Sequence, residues 1–242
     1  MTKESAQKNI LIVIPAYNEE GLIGDVIKSV PSLIKVKNAR FGIQTLVVDD
    51  FSKDKTRQEA LAAGARVLRH TINLGAGAAT RTGLVFASRH AKEFAYVITI
   101  DADGQHKVTD IERLVKFAIK SNADMIIGNR LHEGNKESMP LHRRFGNWGL
   151  TFISQILFGI KVKDTQSGLR LIKADAVGAL ADYTIDRYGF CTEMLWIASR
   201  RKLDVQEIPI SVLYSEETLA KGQNNWGVIN LLIDLMLIRI AR

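Results

Sequence analysis

Two periods of apolar residues alternate along the first half of this 242-residue chain. Short β-branched runs at 10–14, 44–48, 67–68, 97–100 and 125–127 read as buried strands. Between them, apolar residues three and four apart read as helices. The stripe Leu22, Ile23, Val26, Ile27 and Val30 predicts a helix that stops at Pro31. Further helices are predicted over about 53–63, from the glycine turn at 73–77 to about 90, and near 109–120. Strands alternating with helices predict an α/β fold with a mostly parallel, doubly wound sheet. Ligands of such sheets bind beyond the carboxyl ends of the strands, where Asp49, Asp50, Asp101, Asp103 and Arg130 all fall.

The second half changes character. A polar loop at 132–140 leads through His142-Arg143-Arg144 into an aromatic-rich helix at 145–160. Residues 164–170 read as a turn leading back to the sheet. A helix near 193–201, a strand at 205–212, a polar loop at 215–225 and an apolar helix at 226–242 complete the chain. No repeat or linker divides it, so residues 1–242 are expected to form one domain.

Composition narrows the setting. A hydrophobic fraction of 46% and a charged fraction of 24% are ordinary for a soluble globular protein. The net charge of +7 favours an anionic partner. The cations are scattered, without interleaved exposed aromatics, which argues against nucleic acid. The lone Cys191 excludes an intramolecular disulfide and suits a reducing compartment. With no signal-peptide pattern at 1–8 and no uncharged apolar run of spanning length, a cytoplasmic location is expected.

The chemistry concentrates at strand ends. Asp101 and Asp103 are two apart, so they present oxygens to one side, and two such charges repel unless a cation lies between them. Hard oxygen donors fit Mg²⁺ or Mn²⁺, with Gln105 and substrate phosphates completing the shell. A solvated Asp-Gly turn is the plainer alternative. Asp49-Asp50 either grips a nucleotide or caps the helix after Ser52. Gly75-x-Gly77 is half of a dinucleotide fingerprint, or simply a tight turn. Arg130, Arg143, Arg144 and Arg170 are candidates for phosphate. The 145–160 helix, bracketed by cations, suits a membrane interface as well as a core. The 226–242 helix is fit to pack on the sheet, lie on a membrane or pair with a second copy.

Six segments in order carry a resemblance: Pro-Ala-Tyr-Asn-Glu-Glu (15–20), Val-Asp-Asp (48–50), Asn-Leu-Gly-Ala-Gly (73–77), Asp-Ala-Asp-Gly-Gln-His (101–106), Gly-Asn-Arg (128–130) and Asp-Thr-Gln-Ser-Gly-Leu-Arg (164–170). Together they resemble the inverting family-two glycosyltransferases, and more narrowly the dolichyl-phosphate mannose and glucose synthases. The resemblance implies the Rossmann-like nucleotide-diphosphosugar fold called GT-A. It also implies a nucleotide-diphosphosugar donor, Mg²⁺ or Mn²⁺, and a polyprenyl or dolichyl phosphate acceptor. The enzyme would then sit peripherally on the inner face of the cell membrane; a homo-oligomer is a separate expectation, through the 226–242 helix. The resemblance sets Pro15, Tyr17, Glu19 and Asp50 around the nucleotide, and Asp101, Asp103 and Gln105 on the metal, while Asp49, Gly75 and Asp101 are further candidates to bind the nucleotide. Arg130, Arg143, Ser167 and Arg170 fall to the acceptor, with Asp103, Arg130 and Asp164 as candidate catalytic groups.

An acceptor phosphate is already anionic and needs no strong base, whereas a hydroxyl acceptor would need one, with Asp164 the candidate. Mannose synthases usually carry a bulkier residue where Gly104 stands, which leans toward a glucose-type donor. A nucleotidyltransferase lacks support, because no glycine- and arginine-rich loop follows the first strand. A non-catalytic nucleotide-binding protein is the remaining alternative.

Overall fold

The computed structural model describes residues 8–131, 162–187 and 189–211, together with positions 149, 151, 152, 155 and 156. Eight strands form the sheet: β1 (Asn9–Ala16), β2 (Leu33–Val36), β3 (Ala39–Asp49), β4 (Arg66–Arg69), β5 (Phe94–Thr99), β6 (Met125–Asn129), β7 (Arg170–Lys173) and β8 (Val205–Pro209). Their order is β2-β3-β1-β5-β7-β6-β8, with β4 also on β3. Around the sheet lie α1 (Ile23–Ser29), α2 (Thr56–Ala62), α3 (Ala76–Arg89), α4 (Val108–Ser121), α5 (Ala174–Leu180) and α6 (Phe190–Arg200).

Alternation on β1 explains the layering. Leu11 and Val13 join a core with Leu84 of α3, Val177 of α5 and Met194 of α6. Ile10, Ile12 and Ile14 point the other way, into a core with Ile23 and Ile27 of α1 and Leu114 of α4. A strand covered on both faces reads as a continuous apolar run.

Most of the sheet is parallel, as the pattern predicts, but two strands run against it. β2 and β3 form a hairpin, turned by Lys37 at φ 51°. β7 lies antiparallel between β5 and β6. Two reversals restore direction, so β6 runs the same way as β5. The carboxyl ends of β1, β3, β4, β5 and β6 therefore share one edge with the beginning of β7. That edge carries the site.

The 145–160 helix lies largely outside the described residues, and the 226–242 helix wholly so. Thr151, Phe152, Gln155 and Ile156 are helical. Gln155 donates to the Val162 carbonyl at 2.9 Å and the Thr151 hydroxyl lies 3.2 Å from that of Thr165. One edge of this helix thus faces the protein, while Phe152 and Ile156, four apart, are 49% and 67% exposed. Among the described residues no helix is long and apolar enough to cross a membrane.

Candidate active site

The loop after β1 is laced to the segment after β3. Asn18 N–H donates to Ser52 Oγ at 3.0 Å, and Glu19 N–H donates to Thr56 Oγ1 at 2.7 Å. Lys53 N–H returns a bond to Asn18 Oδ1 at 2.9 Å. Asn18 and Phe51 both take left-handed backbone, φ 54° and 66°. For Phe51 that conformation is strained, and such strain persists only where surroundings over-determine it. The lacing leaves Tyr17 exposed, with Pro15 and Glu19 half-buried, at the rim of the crevice.

Behind this rim the acidic pair turns inward. Asp49 is wholly buried; its Oδ1 accepts from Ser52 N–H at 2.9 Å, and its Oδ2 lies 3.2 Å from Arg69 Nε. Expected on the nucleotide, this carboxylate is placed where it orders the turn after β3. Asp50 accepts from the N–H groups of Leu74 and Gly75, at 2.9 and 2.7 Å, and lies 2.7 Å from His70 Nδ1. It ties the end of β3 to the loop before α3.

Gly75 also has another employment than a phosphate cradle. A Cβ on Gly75 or Gly77 would strike the backbone of Asp186 or Ile185. Ala78 N–H donates to the Asp186 carbonyl at 3.1 Å, and the Tyr183 hydroxyl donates to the Gly77 carbonyl at 2.8 Å. The start of α3 is occupied by the protein's own 183–186 segment. The two glycines permit that approach, and the fingerprint reading falls.

At the centre, β5 ends at Thr99 and its turn separates the carboxylates from the core. Ala102 is buried at 5%, while Asp101 and Asp103 on either side are partly exposed to the crevice. Gly104 has φ 72° and only Val26 within 4 Å of a built Cβ. The left-handed turn therefore explains this glycine without reference to the donor sugar.

Enclosure and the neighbouring charge of Asp101, joined by Glu19, push the Asp103 carboxyl up to about 6. Asp101 is also partly enclosed, but a hydrogen bond with His106 and the charges of His106, Arg130 and Arg170 hold it below the usual range. His106 Nε2 lies 3.1 Å from Asp101 Oδ2. Repulsion among Asp101, Asp103 and Glu19 is the electrostatics a divalent cation relieves. Among the described residues no group of three metal-ligating side chains occurs. Two carboxylates, with phosphates supplying further oxygens, match the way Mg²⁺ is commonly shared between protein and nucleotide. Gln105 is half-buried beside them, its N–H donating to Asp103 Oδ1 at 3.0 Å.

Facing this pair, Arg130 emerges from the end of β6 in a two-pronged ion pair with Asp164. Nε reaches Oδ2 at 2.8 Å and Nη2 reaches Oδ1 at 2.9 Å, while Arg130 N–H adds a third bond at 3.0 Å. Burial works against the Asp164 charge, but the Arg130 charge and hydrogen bonds outweigh it and keep its pKa low. A wholly buried carboxylate with a depressed pKa is a poor general base, and both oxygens of Asp164, expected as a catalytic group, are engaged by Arg130. Glu207 in turn holds the Asp164 and Lys163 N–H groups at 3.0 and 2.9 Å.

Two acceptor candidates, Arg170 and Ser167, are placed in the interior. Arg170 is 1% exposed and donates to the carbonyls of Thr165, Ser167 and Cys191 at 2.9, 2.9 and 3.0 Å. Its guanidinium is enclosed by backbone and has no face for a lipid phosphate. Ser167 is wholly buried too. Arg143 and Arg144 lie outside the described residues. Sequence reading gave no part to His70, His106 or Glu207. His106 sat in plain view within the 101–106 segment, whereas Glu207 becomes visible only through the β6–β8 pairing.

Comparison with known proteins agrees with this architecture. The chain is 36% identical to an uncharacterised protein of Methanocaldococcus jannaschii, over 99% of this chain and 98% of that one. It is 32% identical to the UDP-N-acetylglucosamine–dolichyl-phosphate N-acetylglucosaminyltransferase of Methanococcus voltae, covering 98% of each. The human dolichyl-phosphate beta-glucosyltransferase is 28% identical over 98% of this chain and 76% of its own length. Among solved structures, glucosyl-3-phosphoglycerate synthase from Mycobacterium tuberculosis with uridine diphosphate superposes with a TM-score of 0.70. That match is 19% identical and covers 98% of this chain and 81% of the other. It shares the GT-A-like fold. The model of glycosyl transferase family 2 matches residues 11–180, and the chain is a family 2 glycosyltransferase of the dolichyl-phosphate type.

Proposed function

We propose that this enzyme transfers a hexose or N-acetylhexosamine from a nucleoside diphosphosugar to a polyprenyl or dolichyl phosphate, inverting the anomeric carbon. The observation that carries the reading is that Asp101 and Asp103 follow β5 and Arg130 follows β6 at one sheet edge, where the Arg130 charge is felt by Asp101 and Asp164 is paired with the arginine. A cationic group facing the donor end suits an anionic acceptor, and an ionised phosphate attacks without a base. A soluble enzyme acting on a hydroxyl with Asp164 as base fits this arrangement poorly. The printed names of the Methanococcus voltae and human relatives support the acceptor class and leave N-acetylglucosamine and glucose as the leading donors.

A divalent cation held by Asp101 and Asp103, with Gln105 beside them, would stabilise charge growing on the departing diphosphate. Tyr17 and Glu19 stand at the rim where the nucleotide enters, and Arg130 holds the acceptor phosphate. The decisive experiment incubates the enzyme with UDP-N-acetylglucosamine, UDP-glucose or GDP-mannose plus a polyprenyl phosphate and identifies any glycolipid. Transfer to water or a sugar hydroxyl alone, with no glycolipid from any donor, would remove the reading.

The metal site also has a pH signature. In the metal-free fold Asp103 has its pKa raised from the ordinary aspartate value of 3.8 to about 6. Its repulsion therefore destabilises the metal-free fold as pH rises through that window, and protonation relieves it below. A cation takes the ionised form, so it must displace a proton under pH 6. The gain in melting temperature on adding Mn²⁺ is expected to be larger near pH 7.5 than near pH 5. An equal gain at both would separate the metal from Asp103.

The acceptor's tail requires the membrane, at about 0.8 kcal/mol per CH₂ withdrawn from it. The outward pair Phe152 and Ile156 supports peripheral contact there. Phe152→Asp with Ile156→Asp is expected to abolish sedimentation with anionic liposomes while sparing nucleotide binding. Unchanged sedimentation would shift the contact to another part of the chain.

A further inference from the structure

We propose that Gly168 is a positioning residue for the Asp101 carboxylate, and that the 164–170 segment thereby fixes the metal side of the site against the acceptor side. The inference rests on Asp101 as a metal ligand. It adds what puts that ligand where it is.

The antiparallel register of β5 and β7 pairs Thr99 with Arg170 and Ile98 with Leu171. Continuing two steps past each strand brings Asp101 opposite Gly168. A Cβ built on Gly168 would overlap both carboxylate oxygens and the Cγ of Asp101. The φ of Gly168 is not in the left-handed range, so the backbone does not demand glycine. What is used is the missing side chain. The carboxylate lies in the space a methyl group would fill, and His106 steadies it from its own side through the 3.1 Å contact of Nε2 with Oδ2.

Gly168 itself has little freedom to move aside. Its carbonyl accepts from the Thr99 hydroxyl at 2.7 Å, and the neighbouring Leu169 carbonyl accepts from Gly128 N–H at 2.9 Å. The buried Arg170 ties the carbonyls of Thr165 and Ser167 to that of Cys191. At the other end of the same seven residues, Asp164 clamps Arg130. One stiff segment therefore meets the metal-side carboxylate with Gly168 and the acceptor-side arginine with Asp164. The spacing of the two reacting partners is set by seven consecutive residues, and errors of about 1 Å in such spacing cost about 10²-fold in rate.

The test is a thermal double-mutant cycle joined to a metal titration. Gly168→Ala is expected to weaken Mn²⁺ binding in the presence of UDP by at least about tenfold, read by calorimetry without turnover. In metal-free protein it should also lower the melting temperature, because the methyl group and the carboxylate compete for one space. In an Asp101→Ala background that loss should vanish, since the competitor is gone. The cycle also covers a Gly168→Ala variant that fails to fold, because Asp101→Ala should then restore folding. An equal loss of melting temperature in both backgrounds, or unchanged Mn²⁺ affinity in Gly168→Ala, would overturn the proposal. If the unmodified enzyme does not bind Mn²⁺ at all, the metal reading of Asp101 falls, and the thermal cycle alone then decides for or against the positioning role.

Discussion

Asp103→Ala is expected to lower turnover by about 10³-fold while leaving the metal-free protein as stable as before, or more so. Both halves follow from one electrostatic fact. The Asp103 carboxylate stands among Asp101 and Glu19 and ionises only near 6, so at neutral pH it carries repulsion that the fold must absorb. Removing it relieves that repulsion and forfeits one turn-stabilising bond, from Gln105 N–H at 3.0 Å. The check pairs kcat with a melting curve in chelator. A tenfold loss or less, or a drop of many degrees in melting temperature, would contradict the assignment.

Arg170→Lys should do the reverse: little to the chemistry directly and much to the fold. The guanidinium reaches three carbonyls from a position 1% exposed. A lysine ammonium is a point donor on a flexible stem and cannot reproduce that fork. It would leave a buried charge incompletely paired, at a cost of about 3 kcal/mol or more. For a chain of this size that is a fall of roughly 10 °C in melting temperature. A change under about 2 °C would mean the carbonyls are held by something else. The same substitution on a lipid-binding arginine would have raised KM for the acceptor and left the melting point alone.

These two cases mark how far the sequence could be read. Strands β1, β5 and β6 and the second half of β3 were legible because they are buried on both faces, and the helices between them because they carry an apolar stripe. The Asp101/Asp103 pair and Arg130 were legible because they follow such strands directly. The β2–β3 hairpin was not, since β3 begins with exposed and half-buried residues that break the apolar run. Nor was β7, a four-residue strand whose antiparallel direction depends on partners about 70 and 45 positions earlier. The internal contacts of Arg170 and Gly75 were not legible for a related reason. An arginine that binds backbone carbonyls and one that binds phosphate look alike in sequence, as do a glycine that admits a ligand and one that admits a loop. Only the neighbour decides, and that neighbour is far along the chain.

The insertion of β7 has a consequence for how the enzyme comes into being. Strands β1 to β5 are contiguous in the first 99 residues and can pair as they leave the ribosome. β6 cannot join them, because its place beside β5 belongs to a segment made some forty residues later. Until that segment arrives, β5 is an open edge with unpaired backbone groups, a hazard for wrong pairing. Long-range closure of this kind slows folding. The residue that seats Asp101 and the one that aims Arg130 arrive on the same late segment. On the proposed site, a nascent chain would acquire its catalytic geometry in one late step, with a sheet before a site.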